Sequence, residues 1–388
     1  MPSKIEWTDE SWNPIRARNK ETGGVGHFCV KVSAGCQGCY AEAMQKRLFN
    51  NPVRYAAQDR DRVEIFLDEK ALLKPLAWKQ PRVVFPCSMT DLFGEWVSDA
   101  ELDRVFAVMA LTPRHTYKIL TKRPERMREF VTHWPDGAAR FHHVAYAADR
   151  LLRGPNPGSY SFNDDIGKRA GAAVSLWPLP NVQLGVSVED QESAAARIPE
   201  LLATPAAARI VSYEPALGPV DFDCVPRPSS WPVPTDDPAD GIDPLRYVGC
   251  HLDQIIAGGE SGPGAAPAHP DWFRRTRDDC VDAGVAFFFK QWGEWAPVPV
   301  EDNMPGRPQM VRAGDVMIDR EGNQEVIGKD LTSTWESFAT PMRRVGKKAA
   351  GRLLDGREWN EQPQPFATGG VVKAGPYLAG ERGGEFQP

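Results

Sequence analysis

The segment Val182-Gln183-Leu184-Gly185-Val186, followed at once by Ser187-Val188-Glu189-Asp190, has the pattern that decides the fold. A short apolar run ends in a cluster of polar residues. The same pattern recurs at residues 83–91, 117–123, 209–215, 254–262 and 285–292. Short continuous apolar runs are typical of strands that are buried on both faces, as in a parallel sheet.

Helical patterns lie between these runs. Ser98 and Glu101 have the spacing of a capping box, which begins a helix, and Gly284 is placed to end another helix just before the last run. Alternating strands and helices indicate the α/β class with parallel strands. A further strand is expected at residues 25–30. About seven strands favour a partial or complete parallel β/α (TIM-like) barrel, although a doubly wound sheet gives the same alternation.

The chain is long enough for one barrel with appendages, since it has 388 residues and a complete barrel takes about 250. We expect the barrel at residues 1–295, with insertions at 15–27, 135–180 and 224–245. The second insertion is predicted to be a surface loop. The third, which is rich in proline and aspartate, is predicted to be a linker or excursion. Residues 296–388 form a predicted C-terminal extension that is partly disordered.

Charge and hydropathy exclude some classes of protein. The net charge of −6 argues against a protein that coats nucleic acid through its overall charge. A basic stripe at Arg343-Arg344, Lys347-Lys348 and Arg352 could still meet a phosphate backbone, although such a run is more often a solvated helix face. No run of about 18 apolar residues predicts a membrane span, and the first residues lack the apolar core of a signal peptide. We therefore expect a cytoplasmic protein.

Three of the seven cysteines, Cys29, Cys36 and Cys39, have the spacing C-x6-C-x2-C. In a reducing compartment such clustering indicates metal binding or catalysis. Three thiolates can hold three irons of a [4Fe–4S] cubane and leave the fourth iron open, whereas electron-transfer clusters use four cysteines. The open iron could bind the amino and carboxylate groups of S-adenosylmethionine (SAM). Gly35 and Gly38 would let this loop turn tightly.

Other interpretations fit the same cysteines. His27 lies two residues before Cys29, so a Cys3His zinc site is one alternative. It would make the chain a zinc-stabilised, non-catalytic binding protein on a barrel scaffold. An iron–sulfur electron carrier would need a fourth ligand, for which His27 is the nearby candidate. Plain buried cysteines are a third alternative.

The remaining cysteines lack the spacing of a metal site. Cys87 ends a predicted strand, where a buried cysteine needs no function. The sharper hypothesis makes it a hydrogen-atom donor that quenches a substrate radical. The other three are expected to be structural: Cys224, Cys250 and Cys280.

Several blocks, in one order along the chain, carry a resemblance to a known family. They are residues 5–8 (Ile-Glu-Trp-Thr), 12–14, 31–36 (Lys-Val-Ser-Ala-Gly-Cys), 39–42, 88–93, 120–127, 184–191, 214–215, 217–220, 258–262 and 288–293. Together they resemble a phage-associated, radical-SAM-like family of unassigned function. The chain departs from this family by an insertion before Cys29, by the segment 135–180 and by its C-terminal extension. Its first cysteine gap is also wider than the usual radical SAM spacing, C-x3-C-x2-C.

The resemblance implies a [4Fe–4S] cluster held by Cys29, Cys36 and Cys39, and bound SAM. An external flavodoxin or ferredoxin would reduce the cluster, SAM would be cleaved reductively, and a 5′-deoxyadenosyl radical would take hydrogen from the substrate. A phage-encoded protein in the host cytoplasm would make a nucleobase or nucleotide an attractive substrate, as in DNA modification or repair.

Polar residues at the carboxyl ends of the strands are the candidates for the site, because β/α barrels carry their catalytic groups there. The candidate SAM-binding residues are Ser88, Asp91, Lys122, Arg123, Glu189, Gly258 and Gly259. The candidate catalytic residues, which would meet the substrate, are Glu214, Glu260 and Lys290.

Each of these residues has an expected role. Asp91 with Ser88 could accept from the ammonium of SAM, while Lys122 or Arg123 could pair with its carboxylate. Glu189 could bind the ribose hydroxyls, and the two glycines would allow close approach of the backbone to the adenine or substrate. The plain alternative for each charged residue is a solvated loop position or an internal salt bridge.

Overall fold

The computed structural model describes residues 5–49, 53–133, 139–154, 163–226, 245, 251–298, 311–329 and 339–363. In chain order the strands are β1 (Glu10–Trp12), β2 (Ile15–Asn19), β3 (Val25–Gly26), β4 (Val63–Leu67), β5 (Val83–Pro86), β6 (Thr116–Thr121), β7 (Val182–Val188), β8 (Ala208–Tyr213), β9 (Gln254–Gly258), β10 (Ala286–Gln291), β11 (Trp295–Pro297), β12 (Val316–Ile318), β13 (Gln324–Val326) and β14 (Thr340–Arg344). The helices are α1 (Tyr40–Leu48), α2 (Glu69–Leu72), α3 (Lys74–Ala77), α4 (Asp99–Ala110), α5 (Pro124–Thr132), α6 (Arg140–Arg153), α7 (Asp165–Ala173), α8 (Gln191–Ala203), α9 (Pro270–Ala283) and α10 (Lys347–Ala350). None of these helices has the length and apolar character needed to cross a membrane.

Seven strands form one parallel sheet, and they follow one another across it in chain order, β1-β5-β6-β7-β8-β9-β10. Every neighbouring pair is parallel. A doubly wound sheet reverses its strand order at a switch point, so this order is that of a β/α barrel. Within the described residues no pairing joins β10 back to β1, and the sheet is a curled half-barrel. The predicted α/β class and partial parallel barrel are therefore confirmed.

The six apolar runs of the sequence form β5 to β10, as predicted. A strand does form in the stretch predicted at residues 25–30, but it covers only Val25–Gly26. Its expected place in the parallel sheet is wrong, because it belongs to a separate antiparallel sheet of order β3-β2-β4. The seventh strand of the parallel sheet is β1 instead. The side chain of Asn19 accepts hydrogen bonds of 2.8 and 3.1 Å from two backbone N–H groups of the next turn, so the chain reverses and β2 pairs with β3.

The segment 135–180 contains helices where a surface loop was predicted. The amphipathic helix α6 packs against α4, and α7 packs on α6. Asp164 caps α7 by accepting a backbone hydrogen bond of 2.8 Å. The loop prediction is therefore wrong for the stretches that form α6 and α7, because each buries apolar side chains at helical spacing, Val144 and Ala148 in α6 and Ala170 in α7. Residues 134–138, 155–162 and most of the predicted excursion at 224–245 lie outside the described residues.

The two faces of the parallel sheet carry separate groups of apolar side chains. The face under the helices forms the main core. On the inner face, Ile210, Ile256 and Phe288 come from three neighbouring strands and pack against Trp7, which precedes β1. The segment before β1 therefore fills part of the half-barrel's interior.

The C-terminal extension adds to the fold as far as residue 363. Strands β11, β14, β12 and β13 form an antiparallel sheet. Residues 359–361 then run along the outer edge of β10, where the N–H groups of Phe289 and Glu361 donate across the gap at 3.0 and 3.2 Å. An uncovered edge would leave backbone groups unpaired, so this stretch protects the end of the sheet. Residues 364–388, predicted to be disordered, lie outside the described residues.

Candidate metal and cofactor site

The three clustered cysteines lie on one loop between β3 and α1. A short 3-10 turn covers Ala34–Cys36, and Cys39 is the residue directly before α1. The thiols of Cys29, Cys36 and Cys39 are all free and half-buried. They are therefore shielded from bulk solvent without being locked into the core.

Two glycines bring this cysteine loop against the carboxyl ends of the strands. A Cβ atom at Gly35 would lie 2.6 Å from Cγ of Glu189 and 3.0 Å from Cδ of Pro215. A Cβ atom at Gly38 would collide with the carboxylate of Glu260. Side chains do not tolerate such approaches, so the loop lies directly on the ends of β7, β8 and β9. That edge is where β/α barrels carry their active sites.

Arg123 and Asp91 hold the start of the cysteine loop. Arg123 donates to the carbonyl of Val30 at 3.2 Å, to Asp91 Oδ2 at 3.1 Å and to Glu95 at 3.0 Å. Asp91 also accepts from the Thr121 hydroxyl at 2.7 Å and from two backbone N–H groups. Both side chains are 7% exposed. The structure therefore places these two predicted SAM ligands in contacts with the protein itself.

A second network lies beside Cys36. Lys122 Nζ is 3.5 Å from Cys36 Sγ and 3.1 Å from Ser33 Oγ, and it forms an ion pair with Glu189. Glu189 also accepts from the Ser33 hydroxyl at 2.7 Å and from Arg197 at 3.0 Å. Since the Glu189 side chain is only 1% exposed, two cations balance its charge inside the protein. This network ties the cysteine loop to the ends of β6 and β7.

The three thiols differ in acidity. Burial raises the pKa of Cys29 to about 12 and also raises the pKa of Cys39. Burial acts in the same direction on Cys36, but the Lys122 ammonium and hydrogen bonds from Ser33 hold the pKa of this thiol below its ordinary value. Because metal ligands must be thiolates, Cys36 is the thiol best prepared for ligation.

The candidate catalytic residues lie along the same edge. Lys290 Nζ donates to Glu214 Oε2 at 2.5 Å, and their side chains are 20% and 10% exposed. Glu260 accepts from the N–H of Ala266 at 2.8 Å. The Glu214–Lys290 pair is therefore more accessible than Glu189.

Gly258 ends β9 and Gly259 follows it, and a side chain at either position would be crowded. A Cβ atom at Gly258 would lie 3.2 Å from Glu214 Oε2, and one at Gly259 would overlap the carbonyl of Trp292. The backbone groups that approach these glycines closely are the carbonyls of Gln291 and Trp292, which belong to the protein itself.

Ser33, Tyr40 and Arg197 belong to the site although sequence reasoning did not select them. The Tyr40 hydroxyl donates to the carbonyl of Ser88 at 2.5 Å, which links α1 to the end of β5. Ser33 and Tyr40 stand next to the cysteines, so proximity in the sequence could have found them. Arg197 lies within α8, and nothing in its local pattern signals an ion pair with Glu189.

His27 is engaged away from the thiols. Its Nδ1 lies 3.1 Å from the carbonyl of Ile15 and its Nε2 lies 2.9 Å from Nη1 of Arg16. Burial, together with Arg16, lowers the pKa of His27 to about 3. Across the described ranges, no three His, Cys, Asp or Glu residues are arranged to hold a metal ion. A [4Fe–4S] cubane does not require the three thiolates to meet at one metal ion, because each thiolate binds a different iron atom.

The other cysteines lie in varied environments. Cys87 is buried at the end of β5 with a φ of 56°, and burial raises its pKa to about 12. Cys280 is buried in α9, whereas Cys224 is exposed. Cys250 lies outside the described residues.

Comparison with known proteins gives a family and no activity. No curated protein and no solved structure matches the chain. One family model, described as "Protein of unknown function (DUF5131)", matches residues 2–363. Its description mentions neither phages nor SAM, so both stay predictions from the sequence. Because the match covers nearly the whole chain, the protein belongs to this family of unknown function.

Proposed function

We propose that the chain is a radical SAM enzyme whose [4Fe–4S] cluster is held by Cys29, Cys36 and Cys39. The observation that carries the proposal is the position of the three thiols. They share one loop. Because Gly35 and Gly38 have no side chains, that loop can lie directly against the carboxyl ends of β7, β8 and β9. Active sites of β/α barrels lie at this edge.

The donor set fits a cubane with an open iron. Three thiolates account for three irons, and a fourth protein ligand is not required. The zinc alternative requires a fourth ligand instead, and His27 already uses both ring nitrogens for Ile15 and Arg16. The chemistry of the donors therefore favours the cluster over a Cys3His site.

When bound, the cluster and SAM would supply one-electron reduction of the sulfonium and a 5′-deoxyadenosyl radical, with an external flavodoxin or ferredoxin as electron source. The chain's own residues have two tasks beside the cluster. Lys122 favours the thiolate of Cys36 from 3.5 Å. Arg123, held by Asp91, fixes the start of the cysteine loop through the carbonyl of Val30.

The Glu214–Lys290 pair faces the substrate side of the site in this proposal. The pair is partly exposed. Its carboxylate lies beside Gly258, which has no side chain to cover it. Asp91 and Glu189 act instead as positioning residues, because their oxygens already accept bonds from the protein. Substrate specificity then depends on the more open groups around β8, β9 and β10.

A pair of cysteine variants tests the proposal. Cys36→Ala and the matched control Cys224→Ala, an exposed cysteine outside the loop, are purified without oxygen, reconstituted with iron and sulfide, and reduced with dithionite in the presence of SAM. We expect 5′-deoxyadenosine from the wild type and the control, and neither cluster nor 5′-deoxyadenosine from Cys36→Ala. A Cys36→Ala protein that stays brown and cleaves SAM would contradict the assignment.

A further inference from the structure

An open cleft of about 370 Å³ lies where the C-terminal segment meets the carboxyl end of β10. Its lining residues are Glu6, Lys290, Gln291, Lys347, Lys348, Gly351 and Arg352. Four of these side chains are cationic and one is anionic. The cleft is thus positive although the whole chain has a net charge of −6.

The cations of the cleft are unequally neutralised. Lys347 lies 3.3 Å from Glu6, and Arg352 lies 3.8 Å from Glu358. Lys348 is exposed and has no ion pair or hydrogen bond within the part of the chain that the structure describes. Its charge is available to an anion that enters the cleft. Part of the basic stripe noted in the sequence therefore lines the cleft. Arg343 does not line it and is paired with Asp315.

Three lining residues carry buried polar atoms without a hydrogen-bond partner. These atoms are Oε2 of Glu6, Oε1 of Gln291 and Nε of Arg352. Buried polar groups are nearly always paired, so three of them around one cleft need an explanation. Two are acceptors and one is a donor. Their chemistry matches a ligand that brings hydroxyl donors as well as anionic oxygens.

The cleft adjoins the proposed cluster site. The carbonyl of Gln291, which lines the cleft, accepts from the N–H of Gly259 at 3.0 Å. Glu260, which follows Gly259 in the chain, contacts the cysteine loop at Gly38. Lys290 connects the cleft to Glu214 through their ion pair. A molecule in the cleft would therefore extend toward the same strand ends that the cysteine loop covers.

We propose that this cleft anchors the phosphate group of the substrate, a small phosphate ester that carries hydroxyl groups, as nucleotides and sugar phosphates do. Lys347, Lys348 and Arg352 pair with the phosphate oxygens, because multiple cations are the usual partners of phosphate. The hydroxyls donate to Glu6 and Gln291. The cleft volume lies in the range of small-molecule pockets, about 300–1,000 Å³. Only the ligand's role as substrate rests on the proposed function; its binding does not.

Calorimetric titration with ribose 5-phosphate tests this proposal, with ribose and inorganic phosphate as comparison ligands. We expect ribose 5-phosphate to bind more tightly than either comparison ligand. Lys348→Glu should weaken its binding about tenfold or more, since a charge is reversed within several ångströms of the phosphate. Lys70→Glu makes the same charge change on α2, away from the cleft, and should bind as the wild type does.

Three results would overturn the proposal. Ribose 5-phosphate could bind no better than ribose, or both charge-reversal variants could weaken it equally, which would indicate a non-specific charge effect. A single-stranded oligonucleotide could also bind where ribose 5-phosphate does not, which would make the cleft a nucleic-acid surface. Repeating the titration with cluster-free Cys36→Ala separates the two proposals. If ribose 5-phosphate still binds to a chain that cannot assemble a cluster, phosphate binding in the cleft is supported even if the radical SAM function fails.

Discussion

Replacing Gly35 by alanine inserts a methyl group between the cysteine loop and the end of β7. The new Cβ would lie 2.6 Å from Cγ and 2.8 Å from Oε1 of Glu189. Ordinary carbon contacts are about 3.5–4.0 Å, so the overlap is about 1 Å. Glu189 is held by Ser33, Lys122 and Arg197, so it moves only by breaking hydrogen bonds and ion pairs.

The expected cost follows from this geometry. Overpacking a well-filled site costs about 1–3 kcal/mol, and we expect Gly35→Ala to fall in the upper half of that range because Glu189 has so little freedom. The cysteine loop should lift from the strand ends, and iron incorporation should fall with it. Gly218→Ala is a matched control, because its Cβ would make an ordinary 3.4 Å contact with Asp190.

Two assays measure the effect. Urea unfolding of the cluster-free proteins gives the change in the free energy of unfolding. The iron content after anaerobic reconstitution shows whether the cysteine loop still holds the cluster. The control should stay within about 1 kcal/mol of the wild type and keep its iron. A Gly35→Ala protein as stable as the wild type, with full iron, would refute the idea that contact with Glu189 positions the cysteine loop.

Three further predictions concern residues outside that contact. Ser98→Ala should lower the free energy of unfolding by about 1 kcal/mol, because Ser98 and Glu101 form a capping box at α4; equal urea midpoints would contradict this. Burial lowers the pKa of Lys118 to about 7, below its unfolded value of about 10.4, so the unfolded chain binds more protons between these limits and stability should rise with pH. Lys118→Met should flatten that rise between pH 7 and about 10 in urea unfolding, and unchanged slopes would count against a buried amine. Arg123→Lys loses the donor to Val30, so a chelator should remove iron faster than from the wild type; equal rates would show that Arg123 does not secure the loop.

Strands that sequence patterns reveal are those with a continuous apolar run. β5 to β10 each have one, and their buried environment on both faces explains why. β1 has only Glu10–Trp12, and it becomes a strand through its parallel pairing with β5, which is a contact between distant residues. The segment at 25–30 is apolar enough to resemble a strand, yet the Asn19 turn pairs its first residues with β2.

The candidate site could be predicted in outline because parallel strands bring their carboxyl ends to one edge. The sequence could not say which polar groups are already paired. Glu189 is neutralised by Lys122 from a neighbouring strand end and by Arg197 from α8, and both contacts exist only in the folded chain. Likewise, the cleft depends on Glu6 meeting Lys347 across almost the whole sequence.

Anaerobic purification and reconstitution, followed by iron, sulfide and zinc analysis with an absorption spectrum, test the central claim most directly. The account predicts about four irons and four sulfides per chain and the broad visible absorption of a thiolate-bound cluster. One zinc per chain, with no visible band even after reconstitution, would contradict it and favour the zinc-stabilised binding protein.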